Sequence, residues 1–342
     1  MMSLQSVANV TGKRMISSSV RVKAKPRHLV NMMQLTNGEL NSLIQKAETY
    51  KKIIKKGEPS VENHNKLLGK LVALLFNKRS TRTRISTEGA ASFFGAQPMF
   101  LGKDDIQLGV NESVYDTTKV ISSMTSCIFA RVSSHQDILD LCENSSVPII
   151  NSLCDRFHPL QAIADLLTIK EEFGDTKGLK LTWIGDANNV INDLCIAALR
   201  SGISVSISIP KGIVFDEEVK KKAEEIAKDQ KLSFEILNDP LSALHNANVI
   251  VTDTWISMGE EAEKAEKLKQ FENYQITSSM ISKGKASSNW KFMHCLPRHP
   301  EEVSDDVFYS ENSLVFEEAE NRLYAAMAAI DAFVIEGNKS LE

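Results

Sequence analysis

Leu71-Val72-Ala73-Leu74-Leu75-Phe76 runs directly into Asn77-Lys78-Arg79-Ser80-Thr81-Arg82-Thr83-Arg84, and this junction sets the fold. The apolar run is short, continuous and bounded by polar residues, as a buried strand is. Ile85 to Phe94 then carries a helix-compatible pattern. Hydroxyls and guanidinium groups therefore gather where a strand ends and a helix begins. The unpaired N–H groups and dipole of a helix start attract anions. Ser80, Thr81 and Thr83 add hydroxyl donors, and Arg82 adds a planar fork that suits phosphate. The reading is a phosphate site made without the glycines of a P-loop. The same residues would also serve as an ordinary serine cap with arginines facing water.

Outward from this junction the chain alternates. A helix is expected over 38–56, strands over 97–101, 126–131 and 147–151, and helices over 114–124 and 135–142. A helix over 158–173 crosses to a second region, where strands are expected over 179–185, 204–209, 233–237, 249–252 and 291–295, with helices over 189–200, 217–229 and 240–247. A last helix, 318–334, returns to the first region. Such alternation indicates an α/β chain: two Rossmann-like domains with mostly parallel sheets, linked by crossing helices. We place the first domain at 26–160, completed by 318–342, and the second at 161–317. The turn Gly185-Asp186-Ala187-Asn188-Asn189 lacks G-x-G-x-x-G, so the backbone cannot approach a pyrophosphate closely, which argues against a nicotinamide enzyme.

The 342 residues, 42% hydrophobic and 25% charged, are those of a globular chain of two domains. A net charge of -4 gives no case for a nucleic-acid partner, and no apolar stretch is long enough to span a membrane. Five cysteines at irregular spacing argue against a disulfide framework, and no Cys/His cluster has zinc-site spacing. Residues 1–38 contain six Lys or Arg, several serines and no acid before Glu39. That composition resembles a mitochondrial transit peptide over 1–25, which would send the protein to the matrix; a basic tail on a cytoplasmic protein is the alternative.

Three further motifs sit at expected strand ends. His158-Pro159-Leu160-Gln161 opens a helix, with His158 and Gln161 on one face. A neutral imidazole and an amide can both donate to a developing oxyanion. Arg131 ends a strand, where ligands of open sheets bind. Asp253-Thr254-Trp255-Ile256-Ser257-Met258-Gly259 follows another strand, and its carboxylate can pair with a substrate ammonium. His294-Cys295-Leu296-Pro297-Arg298 follows the last; with no general base at hand, Cys295 reads as an orienting ligand rather than a covalent nucleophile. Each has an ordinary structural alternative: a packed histidine, a surface ion pair, a capping aspartate and an inert buried thiol.

Together, S-x-R-T-R, H-P-x-Q, D-x-x-x-S-M-G and H-C-L-P resemble the aspartate and ornithine carbamoyltransferases over about 35–333, and the last two motifs point to ornithine. The resemblance implies transfer of a carbamoyl group from carbamoyl phosphate to the δ-amine of L-ornithine, giving L-citrulline and phosphate, with no metal, nucleotide or other cofactor. It implies that Ser80, Thr81, Arg82 and Thr83 bind phosphate. Arg131, His158 and Gln161 would bind the carbamoyl group, with Arg131 also reaching phosphate. Asn189, Asp253, Ser257 and Met258 would bind ornithine, and Cys295 with the Leu296 backbone would lie between the two substrates. Arg322 would close the carbamoyl phosphate site. Gln107 would reach a neighbouring subunit's site, implying a homotrimer with shared active sites. Asn77 stands where the family commonly has Glu. An aspartate carbamoyltransferase, a different amine acceptor and a non-catalytic relative are the competing readings.

Overall fold

The computed structural model describes residues 25–58, 60–103, 112–256 and 264–337. Among these, β1 (Leu71–Phe76), β2 (Gln97–Gly102), β3 (Cys127–Arg131) and β4 (Ile149–Leu153) form one parallel sheet in the order β2-β1-β3-β4. Between and before them run α1 (Asn37–Lys55), α2 (Val61–Asn65), α3 (Thr81–Phe93), α4 (Val114–Met124) and α5 (His135–Asn144). Helix α6 (Pro159–Phe173) leads to the second sheet. There β5 (Lys180–Ile184), β6 (Ser204–Ser208), β7 (Phe234–Leu237), β8 (Val249–Thr252) and β9 (Lys291–His294) pair in parallel in the order β7-β6-β5-β8-β9. Its helices are α7 (Asn189–Arg200), α8 (Glu217–Gln230), α9 (Pro240–Leu244), α10 (Lys264–Gln270), α11 (Ser278–Lys283) and α12 (Asp305–Phe308). Finally α13 (Val315–Ile330) packs on α1, α3 and α6 and touches β9. The α/β expectation with two parallel sheets and crossing helices holds. No described helix is long and apolar enough to cross a membrane.

Local chemistry explains most element ends. Thr36 and Glu39 form a capping box at α1, Ser134 and Asp137 another at α5. Strands β1 and β3 are apolar and buried almost throughout because helices cover both sheet faces. The short helices α2, α10, α11 and α12 were not expected, since four to seven mostly polar residues carry too little periodicity to register. The segment before α1 is built into the first sheet: Leu29 N donates to Ile149 O, and Asn151 N donates to Leu29 O.

Gly95 ends the turn after α3 at φ 79°, and a Cβ there would lie 2.0 Å from the His64 carbonyl oxygen. Gly57, at φ 69°, has nothing within 4 Å of the same position. Gly57→Ala should therefore cost only the left-handed backbone term, about 1–2 kcal/mol. Gly95→Ala should cost about 1–3 kcal/mol more through overpacking. Denaturant midpoints of the two variants test this; equal losses would show that the His64 contact yields freely.

Candidate active site

The carboxyl ends of β1, β3, β4, β5, β8 and β9 border one cleft of about 750 Å3. Its lining includes Ser80, Thr81, Arg82, Thr83, Arg131, His158, Gln161, Asn189, Asp253, Cys295, Leu296 and Arg322, so residues foreseen from four separate motifs converge. Gln107, Ser257 and Met258 lie outside the described residues.

Helix α3 begins earlier than Ile85: Thr81 is already in it, and Ser80 caps it, its Oγ accepting from Thr83 N at 3.3 Å. Apolar periodicity marks where a helix starts to pack, and this first turn faces the cleft instead. It contains no acid and two arginines. Cations at a helix N-terminus oppose the dipole, so an anion bound there would relieve both. Arg84 turns away to Glu88, 2.9 Å, and over the Phe100 ring.

Arg82, Arg131 and Arg322 have no ion pair among the described residues. Their contacts are neutral: Arg82 Nη2 donates to Leu296 O, and Arg322 donates to Gln161 Oε1 and, at 3.3 Å, to Thr83 Oγ1. Burial, with the other guanidinium groups, lowers Arg131 and Arg322 to about 10, which leaves both cationic at neutral pH. Arg131 Nε, Arg322 Nε and His158 Nδ1 are buried with no hydrogen-bond partner among the described residues. Burial and the three nearby arginines hold His158 well below 6.5, so it is a neutral imidazole. Because that value is depressed, its contribution to stability is present above about 6.5 and is lost as the pH falls, where the unfolded chain alone takes up the proton.

One correction concerns Gln161. Its Nε2 donates to Asp165 Oδ1 at 2.8 Å and to Glu318 Oε1 at 2.9 Å. Both amide hydrogens are thus committed away from the cleft, and the oxyanion-donor role expected of this side chain does not fit; its Oε1 is an acceptor.

On the acceptor side, Asp253 receives the Cys295 thiol on Oδ1 at 2.9 Å and Asn188 Nδ2 on Oδ2 at 2.9 Å. Burial, then the Asp253 and Glu318 carboxyls, pushes Cys295 well above its ordinary value, so it is a thiol donor. Burial raises Asp253 too; an ammonium ligand would draw it back down. Asn189 Nδ2 donates to Cys154 O at 2.7 Å. Leu296, at φ 60°, donates its N–H to His294 Nδ1 at 2.9 Å while its carbonyl takes Arg82.

Sequence reasoning missed Asn188, Thr254 and His299 in the cleft wall, and, beside the foreseen Asn189, it missed Asn192 and Asp193 on α7. Asn189, Asn192 and Asp193, at helix spacing, hold the loop before α6: they bind Cys154 O, Arg156 O and His158 N, the last at 2.7 Å. Asp193 also accepts Met32 N at 2.7 Å. The visible signal was a carboxylate and two amides on an otherwise apolar helix.

Residues 27–171 match the family described as "Aspartate/ornithine carbamoyltransferase, carbamoyl-P binding domain", and 177–333 match its "Asp/Orn binding domain". The chain is 64% identical over 337 residues to "Ornithine transcarbamylase, mitochondrial" of Pachysolen tannophilus, covering 97% of this chain and 96% of that protein. It is 60% identical to "Ornithine carbamoyltransferase" of Saccharomyces cerevisiae, over 93% of this chain and 97% of that one. Among solved structures, the mitochondrial ornithine carbamoyltransferase of Coccidioides immitis superposes with TM-score 0.86 at 51% identity, covering 92% of this chain and 99% of that one. The Pyrococcus furiosus ornithine carbamoyltransferase gives TM-score 0.86 at 42% identity, over 92% and 98%. With both halves matched and such relatives along nearly its whole length, this chain belongs to the aspartate/ornithine carbamoyltransferase family.

Proposed function

We infer that the chain transfers the carbamoyl group of carbamoyl phosphate to the δ-amine of L-ornithine, giving L-citrulline, phosphate and a proton. The observation that carries this is the pairing within one cleft of two unlike half-sites. One holds Arg82, Arg131 and Arg322 at a helix start; the other holds Asp253 with Cys295 and Asn188. The first suits a dianion. The second offers a carboxylate to an ammonium, whereas aspartate as acceptor would need cations there.

In this reading the helix start with Arg82 and Arg131 holds the phosphate. Arg131, Thr83 and the neutral His158 donate to the carbonyl oxygen as the amine adds, the C–N bond forms and the C–O bond to phosphate breaks. Gln161 Oε1 can accept from the carbamoyl NH2. Asp253 anchors the α-amine, and the nearby guanidinium charge keeps the δ-amine unprotonated by like-charge repulsion. Holding both reactants in line supplies up to about 7–11 kcal/mol. Ser257 and Met258 would complete the ornithine site. A homotrimer, with Gln107 lent to the neighbouring site, belongs to the same proposal. So does a matrix location directed by residues 1–25, in keeping with the mitochondrial names of the Pachysolen and Coccidioides relatives.

Purified protein should form citrulline from carbamoyl phosphate with ornithine and no carbamoyl product with aspartate; the reverse preference would reject the acceptor assignment. Arg131→Leu and His158→Ala should each lower turnover about 10²–10³-fold, the loss typical of one oxyanion donor, with little change in unfolding midpoint. Near-wild-type turnover in either would remove it from the oxyanion site. Cys295→Ser should raise the KM for ornithine and leave phosphate binding largely intact, which titration with inorganic phosphate reads directly.

A further inference from the structure

Glu318 is 1% exposed on α13, makes no ion pair among the described residues, and has no place in the transfer chemistry above. A buried carboxyl without a cation is costly, so its contacts need an account. Oε1 accepts Gln161 Nε2 at 2.9 Å, and Oε2 accepts the backbone N–H of His294 at 2.8 Å. The first contact lies in the carbamoyl phosphate half: Gln161 Oε1 in turn receives Arg322. The second lies in the acceptor half, because His294 opens the turn whose Cys295 thiol reaches Asp253 and whose Leu296 carbonyl receives Arg82.

Two ties therefore join the first half to the 294–296 turn. The Arg82–Leu296 tie is exchangeable, since a phosphate bound at the start of α3 competes for the same guanidinium. The Glu318–His294 tie uses no group that either substrate needs. We propose that Glu318 is a positioning residue that keeps the acceptor-side turn registered on the carbamoyl phosphate half while Arg82 changes partner. The proposal rests on the transferase reading. The chemistry of the pocket agrees: burial, then the neighbouring Asp165, pushes Glu318 well above the carboxylate range, while Asp165 rises to about 7. The amide of Gln161 bridges the two carboxyls. Arg322, Asp253 and Cys295 are the other ionisable groups that face the pair.

Glu318→Gln tests this. The amide is isosteric but replaces one acceptor oxygen with a donor, facing either Gln161 Nε2 or His294 N–H, so one tie fails while packing is kept. The readout is linkage, which a strut of purely structural value would not move. Binding of L-norvaline, the ornithine skeleton without its δ-amine, is titrated with and without saturating carbamoyl phosphate. In wild type, carbamoyl phosphate should tighten norvaline at least about tenfold; in Glu318→Gln the gain should fall below about threefold. Turnover should drop about tenfold or more with the KM for carbamoyl phosphate within about threefold of wild type. Glu320→Gln, on the same helix but bonded to Tyr324 and Lys55, should match wild type. If Glu318→Gln fails to fold, Glu318→Asp, which withdraws the carboxylate by one methylene, should show the same loss of linkage. Full linkage in the variant overturns the proposal. So does a parallel loss of both ligands and of unfolding temperature, which would make Glu318 structural only. Absence of citrulline from the wild type would reject the transferase reading, and with it this one; citrulline from the wild type with unchanged linkage in the variant rejects this one alone.

Discussion

Three guanidinium groups brought together without a carboxylate are the constraint around which the site is arranged. Arg131 and Arg322 are 7% and 3% exposed, and burying unpaired cations is unfavourable unless polar groups surround them. The side-chain hydrogen bonds of Arg82 and Arg322 go to neutral acceptors: a backbone carbonyl for Arg82, and an amide oxygen and a threonine hydroxyl for Arg322. A carboxylate in any of these places would satisfy an arginine and compete with any anionic ligand. Negative charge is nevertheless close, on the Asp165–Glu318 pair, and Gln161 stands between. It spends both hydrogens on the acids and presents a carbonyl oxygen to Arg322. Burial, with the same positive field, keeps His158 neutral, so it does not add a fourth cation.

The second requirement is that the two half-sites, carried on separate sheets, face each other. In each sheet the strands are parallel, so all the carboxyl ends, and the loops that follow them, lie at one edge. The edges are aligned by α6 and α13, packed together, and by the polar face of α7 that grips the loop ahead of His158. Asp193 shows the cost of that grip. It is fully buried and raised to about 7, yet it accepts two backbone N–H groups that would otherwise be orphaned. Such contacts fix angles between elements rather than contribute much net stability.

This explains what the sequence discloses and what it withholds. Strands such as Leu71–Phe76 announce themselves as apolar runs between polar bounds, and Ser80 and Arg82 stand at a strand-to-helix junction that the sequence marks. Asp253 and Cys295 were legible because each directly follows a strand, and His158 because Pro159 marks the helix start it precedes. The start of α3 was misplaced because its first turn, Thr81-Arg82-Thr83-Arg84, contains no apolar residue to extend the helical pattern. The donor role given to Gln161 was wrong because an amide has two faces, and only the positions of Asp165 and Glu318, four residues and 157 residues away, decide which one is used. Asn188 and Asp193 stayed hidden because their partners are backbone atoms and side chains from remote segments, which no local pattern encodes.

Cys295 shows how the environment rather than the residue type sets the chemistry. A cysteine beside three arginines would ordinarily be a thiolate and a nucleophile. Here its sulfur is turned toward Asp253, and Glu318 and Asp165 add negative charge behind it. Burial and those carboxyls outweigh the arginines, so the thiol keeps its proton and donates it to the acceptor-side carboxylate. That donation has a use: it leaves Asp253 satisfied on one oxygen by sulfur and on the other by Asn188, so the carboxylate is held in one orientation before an ammonium arrives. A covalent role would require the opposite arrangement, with the thiol facing the arginines and the carboxylate removed. In the transferase reading proposed above, this arrangement makes Cys295 part of the acceptor's cradle and leaves attack on the carbamoyl carbon to the substrate's own amine.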